Sequence, residues 1–237
     1  MENLDFKENL TMSIELYFEE KGEGFPLILL HGNGESHEYF THQIEHFSKY
    51  YRVLAPDTRG HGSSPRGISP FTLRTFADDL CYFMEERGIE KAHILGFSDG
   101  GNIAMCFALK YPKMVAKLVL NGANLSPSGV KASVQIPITL GYKIASRSSH
   151  KSHKAAENAE MLGLMVNEPN LTPEDLARIE SPTLVIAGKK DMIKENHTRL
   201  IHASLKNSEL AIIRGDHFIA NKNPDVFNSV VERFLAE

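Results

Sequence analysis

The sequence predicts an α/β domain in which a mostly parallel sheet is flanked by helices on both faces. Three observations support this fold class. Short apolar segments typical of buried strands alternate with segments whose apolar residues recur at helical spacing. The loops between them are rich in Gly, Ser and Pro. The composition, with 42% hydrophobic and 24% charged residues over 237 positions, is that of a globular chain able to bury a core.

The predicted elements follow one another along the chain. Strands are predicted at residues 12–19, 26–30, 51–55, 92–97, 115–120, 183–187 and 209–213. Helices are predicted at about 36–48, 71–87, 99–110, 195–205 and 224–236. The strand at 26–30 is apolar throughout, which indicates burial on both faces of the sheet. Ligands of such sheets bind at the carboxyl ends of the strands, so the chemistry is expected in the loops that follow them.

The alternation stops between about residues 123 and 178. This stretch contains a Lys/His/Ser-rich patch at 147–154 and four apolar residues that could form one helix face, Met161, Leu162, Met165 and Val166. Thr172-Pro173-Glu174-Asp175 is typical of a helix start, with a Thr N-cap followed by Pro and acidic residues. We expect a single domain over residues 1–237, with a short helical cap inserted at about 123–178.

Charge and composition argue against several classes of function. The net charge of −4 and the pI of about 6.3 predict no nucleic-acid partner and no recruitment to an anionic membrane. The first residues are polar and acidic, unlike a secretory signal, and no apolar run approaches the roughly 20 residues that span a bilayer. With only two cysteines, Cys81 and Cys106, the chain is expected to be a cytoplasmic protein with reduced thiols.

The motifs predict no cofactor and no metal. The sequence has no Gly-rich phosphate-binding loop of the nucleotide-binding types. His150, His153 and Glu157 would share a helix face and could contribute zinc ligands, but no fourth ligand accompanies them. A solvated basic helix face is therefore the favoured interpretation of this patch.

The strongest chemical signal is the segment Gly96-Phe97-Ser98-Asp99-Gly100. It lies between a predicted buried strand and a predicted helix, so Ser98 would sit on a sharp turn between the two. Such a turn exposes the hydroxyl, requires small residues two positions before and two positions after the serine, and places the serine beside the free N–H groups of the helix start. These are the conditions under which a serine acts as a nucleophile.

Four further segments follow predicted strands in the same way. They are His31-Gly32, Asp57 to Gly62, Ala187 to Asp191 and Gly215 to Phe218. Together with the Ser98 turn, and in the order Ser, Asp, His, they resemble the α/β-hydrolase superfamily over nearly the whole chain. The resemblance implies an α/β-hydrolase fold and a serine hydrolase. A serine nucleophile argues against dehalogenase and epoxide-hydrolase chemistry, which resembling families run through a carboxylate.

The resemblance places the general base at His217 and the supporting acid at Asp191. An imidazole can take the serine proton at neutral pH, and a carboxylate can hold that imidazole in the required tautomer. Some family members carry the acid after the preceding strand, but residues 121–124 hold no carboxylate. Asp216 adjoins His217 and cannot easily fold back to hold it.

An oxyanion hole needs two preorganised N–H donors. One is expected to be the backbone N–H of Asp99, which follows the nucleophile. The resemblance implies that the other is the backbone N–H of Asn33, which follows His31-Gly32. His31 itself and His61 are expected to be structural.

The side chain of Asp99 leaves two interpretations open. It suits the start of the following helix, where a carboxylate can cap free N–H groups or form a hydrogen bond within its own turn. It could instead bind a substrate ammonium, because the stretches Gly96 to Gly101 and Asn121 to Asn124 resemble those of valacyclovir-hydrolase-type amino-ester hydrolases.

These motifs predict a serine hydrolase that acts on a small-molecule acyl substrate through an acyl-enzyme intermediate. The substrate could be a carboxylic ester, a lactone, a thioester or a ketone-activated carbon–carbon bond, and an α-amino ester is one option. Two alternatives share the same triad. One is a ligand sensor with slow or single-turnover hydrolysis, and the other is a cofactor-free perhydrolase. The sequence identifies no protein partner.

Overall fold

Seven strands form one sheet within residues 14–237, which the computed structural model describes. They are β1 (Phe18–Lys21), β2 (Pro26–Leu30), β3 (Arg52–Pro56), β4 (Ala92–Phe97), β5 (Val115–Asn121), β6 (Thr183–Gly188) and β7 (Ser208–Ile213). Their order is β1-β3-β2-β4-β5-β6-β7. Only β1 pairs antiparallel, with β3, and the other neighbouring strands are parallel. The predicted fold class is therefore confirmed.

Helices occupy the connections between the strands. They are α1 (Thr41–Phe47), α2 (Leu73–Glu86), α3 (Asp99–Lys110), α4 (Ala132–Ser148), α5 (His153–Asn167), α6 (Pro173–Leu176), α7 (Glu195–Ser204), α8 (Ile219–Lys222) and α9 (Pro224–Ala236). The predicted helices are confirmed within a few residues, and the first of them begins as a 3-10 turn at His37–Phe40. The four-residue helix α8 was not predicted, because so short a segment shows no helical repeat.

The first strand differs from the sequence prediction of 12–19. Residues 12 and 13 lie outside the described residues, and the strand begins only at Phe18. The N–H of Tyr17 donates to the hydroxyl of Ser64 instead of to a neighbouring strand. The alternation of side chains predicted a strand at 12–19. The strand begins at Phe18 because this residue pairs with Pro56, the last residue of β3, and the alternation carries no information about that pairing.

Apolar side chains pack on both faces of the sheet, which explains why the parallel strands are apolar throughout. Alternate residues of one strand therefore belong to different clusters. Against α2 and α3 lie Ile28, Leu30, Ile94, Leu118 and Leu120. Against α1 and α9 lie Leu27, Leu29, Leu95, Phe97 and Val119. The two clusters fix the sheet between its helices and so fix the loops at its carboxyl edge.

The segment between β5 and β6 holds α4, α5 and α6. Helices α4 and α5 pack on each other, and the side-chain amide of Gln135 donates to the carbonyl of Met165 at 3.0 Å. The four residues of the predicted apolar face lie on α5 and are half-buried, whereas Leu164, which was not among them, is buried. Thr172 and Asp175 form the predicted capping box at the start of α6.

Polar contacts join this segment to the rest of the domain. Arg66 forms a two-pronged ion pair with Glu160 of α5. The carboxylate of Glu168 accepts a hydrogen bond from the N–H of Leu73, at the start of α2. Because the segment leaves β5 and returns to β6 at the carboxyl edge, its helices lie beside the loops that carry the predicted chemistry. Within residues 14–237, no helix combines the length and apolarity needed to cross a bilayer.

Candidate active site

Ser98 lies on a sharp turn between β4 and α3, as predicted. Its backbone angles are φ 53° and ψ −120°, and among residues 14–237 it is the one non-glycine residue with a positive φ. The N–H of Ser98 donates to the carbonyl of Asn121 at 2.8 Å, which ties the turn to the end of β5. A serine held in this way is strained, and such strain is typical of functional turns.

The backbone at the end of β2 lies directly against the turn that carries Ser98. A side chain at Gly100 would overlap the carbonyl group of Leu30 in β2. The close approach of the backbone therefore requires glycine two residues before and two residues after Ser98, as the sequence motif indicated.

The structure brings the three predicted triad residues together. His217 Nε2 lies 3.0 Å from Ser98 Oγ, and His217 Nδ1 lies 2.7 Å from Asp191 Oδ1. His217 and Asp191 are both buried, whereas Ser98 is half-buried. Nucleophile, base and orienting acid are thus within hydrogen-bonding reach in the order that acyl transfer requires.

The loop after β6 fixes the carboxylate of Asp191. Its Oδ1 atom also accepts the N–H of Ile193 at 2.9 Å, and its Oδ2 atom is buried without a hydrogen-bond partner among the described residues. Asp216, the neighbour of His217, accepts instead from Lys222 and from the N–H of Phe218. The expectation that Asp216 does not hold the imidazole is confirmed.

Gly122 is a site residue that the sequence analysis missed. It has φ +62°, and a Cβ atom there would lie 2.7 Å from His217 Cε1 and 2.9 Å from His217 Nδ1. The ring of Phe97 also packs against His217, with 4.8 Å between the two ring centroids. The imidazole of His217 is therefore confined between the backbone of Gly122 and the ring of Phe97. A signal was available in the sequence, because a glycine directly after a strand indicates either a turn or a close approach.

The two predicted oxyanion donors lie in the expected loops. Asn33 follows β2, and Asp99 is the first residue of α3, whose N–H has no partner inside the helix. Neither backbone N–H donates to another group of residues 14–237. Both remain available for an oxygen atom of a substrate.

A chain of side-chain amides holds the carboxylate of Asp99. Asp99 Oδ2 accepts from Asn33 Nδ2 at 2.9 Å, and Asp99 Oδ1 accepts from Asn102 Nδ2 at 3.0 Å. Asn102 also donates to Asn124 Oδ1 and accepts the N–H of Asn124. The second hydrogen of the Asn33 amide reaches the carbonyl of Met161 in α5. This network joins the loop after β2, the start of α3, the end of β5 and the helical segment.

Asp99 does not cap the N–H groups of α3, because its oxygens accept from side-chain amides. The bond from Asn102 does lie within the first turn of α3, as the same interpretation allowed. Burial raises the pKa of Asp99 above its ordinary value, and the bonds from Asn33 and Asn102 oppose that rise. No cationic side chain of the described residues forms an ion pair with it. A buried carboxylate held only by neutral amides can still accept a cation from outside.

His31 and His61 are structural, as predicted. Both are buried, and His61 Nδ1 contacts the carbonyl of Arg59 and the hydroxyl of Thr58, whereas His61 Nε2 is buried without a hydrogen-bond partner among the described residues. His31 donates from Nδ1 to the carbonyl of Gly32 and accepts the N–H of Thr58 at Nε2. Burial lowers the pKa of His31 to about 4, so the ring is neutral near pH 7 and keeps this donor–acceptor arrangement.

Glu35 is a second residue of the site that the sequence analysis missed. Its carboxylate accepts the N–H of Gly32 at 3.1 Å and closes the turn that carries Asn33. Burial raises the pKa of Glu35 to about 7, and the bond from Gly32 opposes the rise. An acid three residues beyond a glycine is too common a pattern to reveal this role, which depends on the burial of the folded loop.

The pKa of Glu35 predicts a pH-dependent stability. Its folded-state pKa is raised from an ordinary 4.5 to about 7, so its contribution to stability is full below about pH 4.5 and is lost as the pH rises through about 7. Glu35→Gln keeps an oxygen acceptor for Gly32 but does not ionise. We expect this variant to gain stability over the native chain at about pH 8, and to gain less at about pH 5, in urea unfolding. Equal gains at both pH values would contradict the assignment, and Glu90→Gln, at an exposed acid, is the control.

Known proteins resemble this chain in sequence. A family profile described as alpha/beta hydrolase fold matches residues 26–143. A protein of Synechocystis sp., provisionally named a non-heme chloroperoxidase, is 30% identical, with 95% of this chain and 96% of that protein aligned. The human serine hydrolase BPHL is 28% identical over 94% of this chain and 83% of its own length.

The fold is shared with solved structures. The enol-lactonase from Burkholderia xenovorans LB400 superposes with a TM-score of 0.80, covering 94% of this chain and 97% of its own. At 20% sequence identity, this likeness concerns the fold alone. Sequence matches across nearly the full length and the shared architecture lead to the same result: the chain belongs to the α/β-hydrolase family.

Proposed function

We propose that the chain is a serine hydrolase that cleaves a small carboxylic ester or a related acyl compound. The observation that supports this most is the continuous contact from Ser98 Oγ to His217 Nε2 and from His217 Nδ1 to Asp191 Oδ1, at 3.0 and 2.7 Å. The name of a relative, the human serine hydrolase BPHL, agrees with a serine mechanism.

The proposed reaction has two halves. Ser98 Oγ attacks the carbonyl carbon while His217 Nε2 takes its proton, and the negative oxygen is bound by the N–H groups of Asn33 and Asp99. The carbon–oxygen bond to the alcohol breaks, and the alcohol leaves with the proton from His217. Water then gives a proton to His217 and attacks the acyl-enzyme, which releases the acid and restores Ser98. This mechanism uses neither a metal nor a cofactor.

The first test is turnover of a chromogenic ester panel that varies the acyl chain length. We expect rapid turnover of short esters, and a fall in kcat of roughly 10⁴- to 10⁶-fold in Ser98→Ala, because the nucleophile is lost. Ser229→Ala, at an exposed serine of α9, is the control. Acylation that stops after one equivalent would favour the ligand-sensor alternative. Reaction only with hydrogen peroxide and a carboxylic acid would favour the perhydrolase alternative.

Gly122 provides a test of the geometry of His217. Gly122→Ala places a methyl group against the imidazole, so we expect kcat/KM to fall by about 100-fold or more. Gly88→Ala is a matched control, since Gly88 has φ +63° and open space around its Cβ position. Both variants lose stability through the positive φ, which thermal unfolding measures, but only Gly122→Ala should lose activity. Native kcat/KM in Gly122→Ala would refute the role given to this glycine.

A preference for α-amino esters is a second candidate, and the position of Asp99 favours it. Its carboxylate lies one residue from the nucleophile, is buried, and has only amide partners. An unpaired negative charge disfavours a nearby oxyanion unless a positive charge lies beside it. A substrate ammonium would supply that charge and satisfy the remaining acceptor capacity of the carboxylate.

The substitution Asp99→Asn tests this preference. We expect the ratio of kcat/KM for α-amino esters to that for neutral esters to fall about 10- to 100-fold, as for loss of a hydrogen bond to a charged group. The backbone N–H at position 99 is kept. Asp225→Asn is the matched control, because Asp225 is an exposed acid in the first turn of α9. An unchanged ratio in Asp99→Asn would remove the amino-ester proposal and leave the serine-hydrolase proposal intact.

A further inference from the structure

Helix α4 exposes a stripe of aliphatic side chains. Ile136, Leu140 and Ile144 are 66%, 59% and 58% exposed, in a domain whose other large apolar residues are mostly buried. Their spacing of four residues places them on one face of the helix, in a continuous line. Single exposed apolar residues are ordinary, but a row of three on one helix face indicates a surface that contacts something.

Cations share that exposed face. At 3.6 residues per turn, Lys143 and Arg147 project from the same side of α4 as the aliphatic stripe. Lys151 and Lys154 follow at the start of α5, and all four cations are exposed, with no ion-pair or hydrogen-bond partner for their side chains within residues 14–237. The segment 131–154 carries five Lys and Arg and no Asp or Glu, although the whole chain has a net charge of −4.

The opposite face of α4 is already occupied. Gln135 bonds to the backbone of α5, and Gly141 approaches the side chain of Leu162. At the N-terminal end, the ammonium of Lys131 donates to the backbone carbonyl of Asp191. The exposed face therefore points away from the sheet, while the helix itself begins beside the candidate active site.

The positive charge of the exposed face of α4 distinguishes between two possible binding partners, a second copy of the chain and an anionic membrane. Pairing of the stripe with the same stripe of a second copy would bring the eight exposed cations of the two copies together, and the segment 131–154 has no acid to pair with them. An aliphatic row flanked by Lys and Arg is typical of helices that lie in the plane of a membrane interface, with the apolar side chains inserted and the cations at anionic headgroups. We propose that α4 and the start of α5 bind the surface of an anionic lipid bilayer.

The expectation that nothing recruits the chain to an anionic membrane came from the net charge, which averages over all 237 residues. The folded chain places cations without acids along residues 131–154, while acids outnumber cations in the remainder of the sequence. Attraction to a surface depends on the charges within about 8 Å at physiological salt, and so on this face and not on the average. The proposal is independent of the hydrolase mechanism.

The test is co-sedimentation of the full chain with vesicles of phosphatidylcholine, with and without about 30% phosphatidylglycerol. We expect at least about tenfold stronger binding to the anionic vesicles, and loss of most of that binding in about 0.5 M NaCl. Binding that is equal for both vesicle types, or absent from both, would overturn the proposal.

Paired variants locate the binding surface. Leu140→Glu and the double variant Lys143→Glu/Arg147→Glu should each weaken anionic-vesicle binding at least about tenfold. Val226→Glu and the double variant Lys91→Glu/Lys113→Glu place the same changes on exposed residues elsewhere and should bind as the native chain does. Thermal unfolding checks that every variant is folded. Native binding by Leu140→Glu, or a dimer without vesicles that Leu140→Glu abolishes, would refute the lipid surface as the occupant.

Discussion

The positive φ of Ser98 is the constraint on which the rest of the candidate site depends. L-residues disfavour this conformation, so surrounding contacts must hold it. The carbonyl of Asn121 accepts the N–H of Ser98, the backbone of Leu30 leaves no room for a side chain at Gly100, and α3 continues the chain at once. Strands on both sides of β4 thus fix the turn, and they are themselves fixed by apolar packing on both faces of the sheet.

Polar groups align the separate loops above that sheet. The amide network from Asn124 through Asn102 and Asp99 to Asn33 joins the loop after β5, the first turn of α3 and the loop after β2, and it reaches the carbonyl of Met161 in α5. Buried networks of this kind add little net stability, but they specify one arrangement because each unmade bond is costly. The side chains of this network therefore set the proposed oxyanion donors at Asn33 and Asp99 relative to each other.

The strand–helix order and Ser98 could be predicted from local sequence, namely apolar runs, turn residues and the glycines at positions 96 and 100. His217 and Asp191 came from the resemblance to the order of motifs in the family. Features that depend on tertiary contact could not be predicted. Pairing with β3 decides where β1 begins, the approach of the His217 ring decides the importance of Gly122, and burial of the folded loop decides the pKa of Glu35. The basic patch at 147–154 was recognised, but only the folded helix shows that Lys143 and Arg147 join an exposed aliphatic row.

The confinement of His217 has a consequence for the entropy of the proposed reaction. With Gly122 against one part of the ring, Phe97 against another and Asp191 at Nδ1, the imidazole has little freedom to rotate. If a catalytic side chain had to become ordered in every turnover, the loss of its rotamer entropy would raise the activation free energy each time. Here that entropy is lost once, when the chain folds, and the favourable burial of the sheet offsets it. The proton acceptor is thus in place before any substrate arrives.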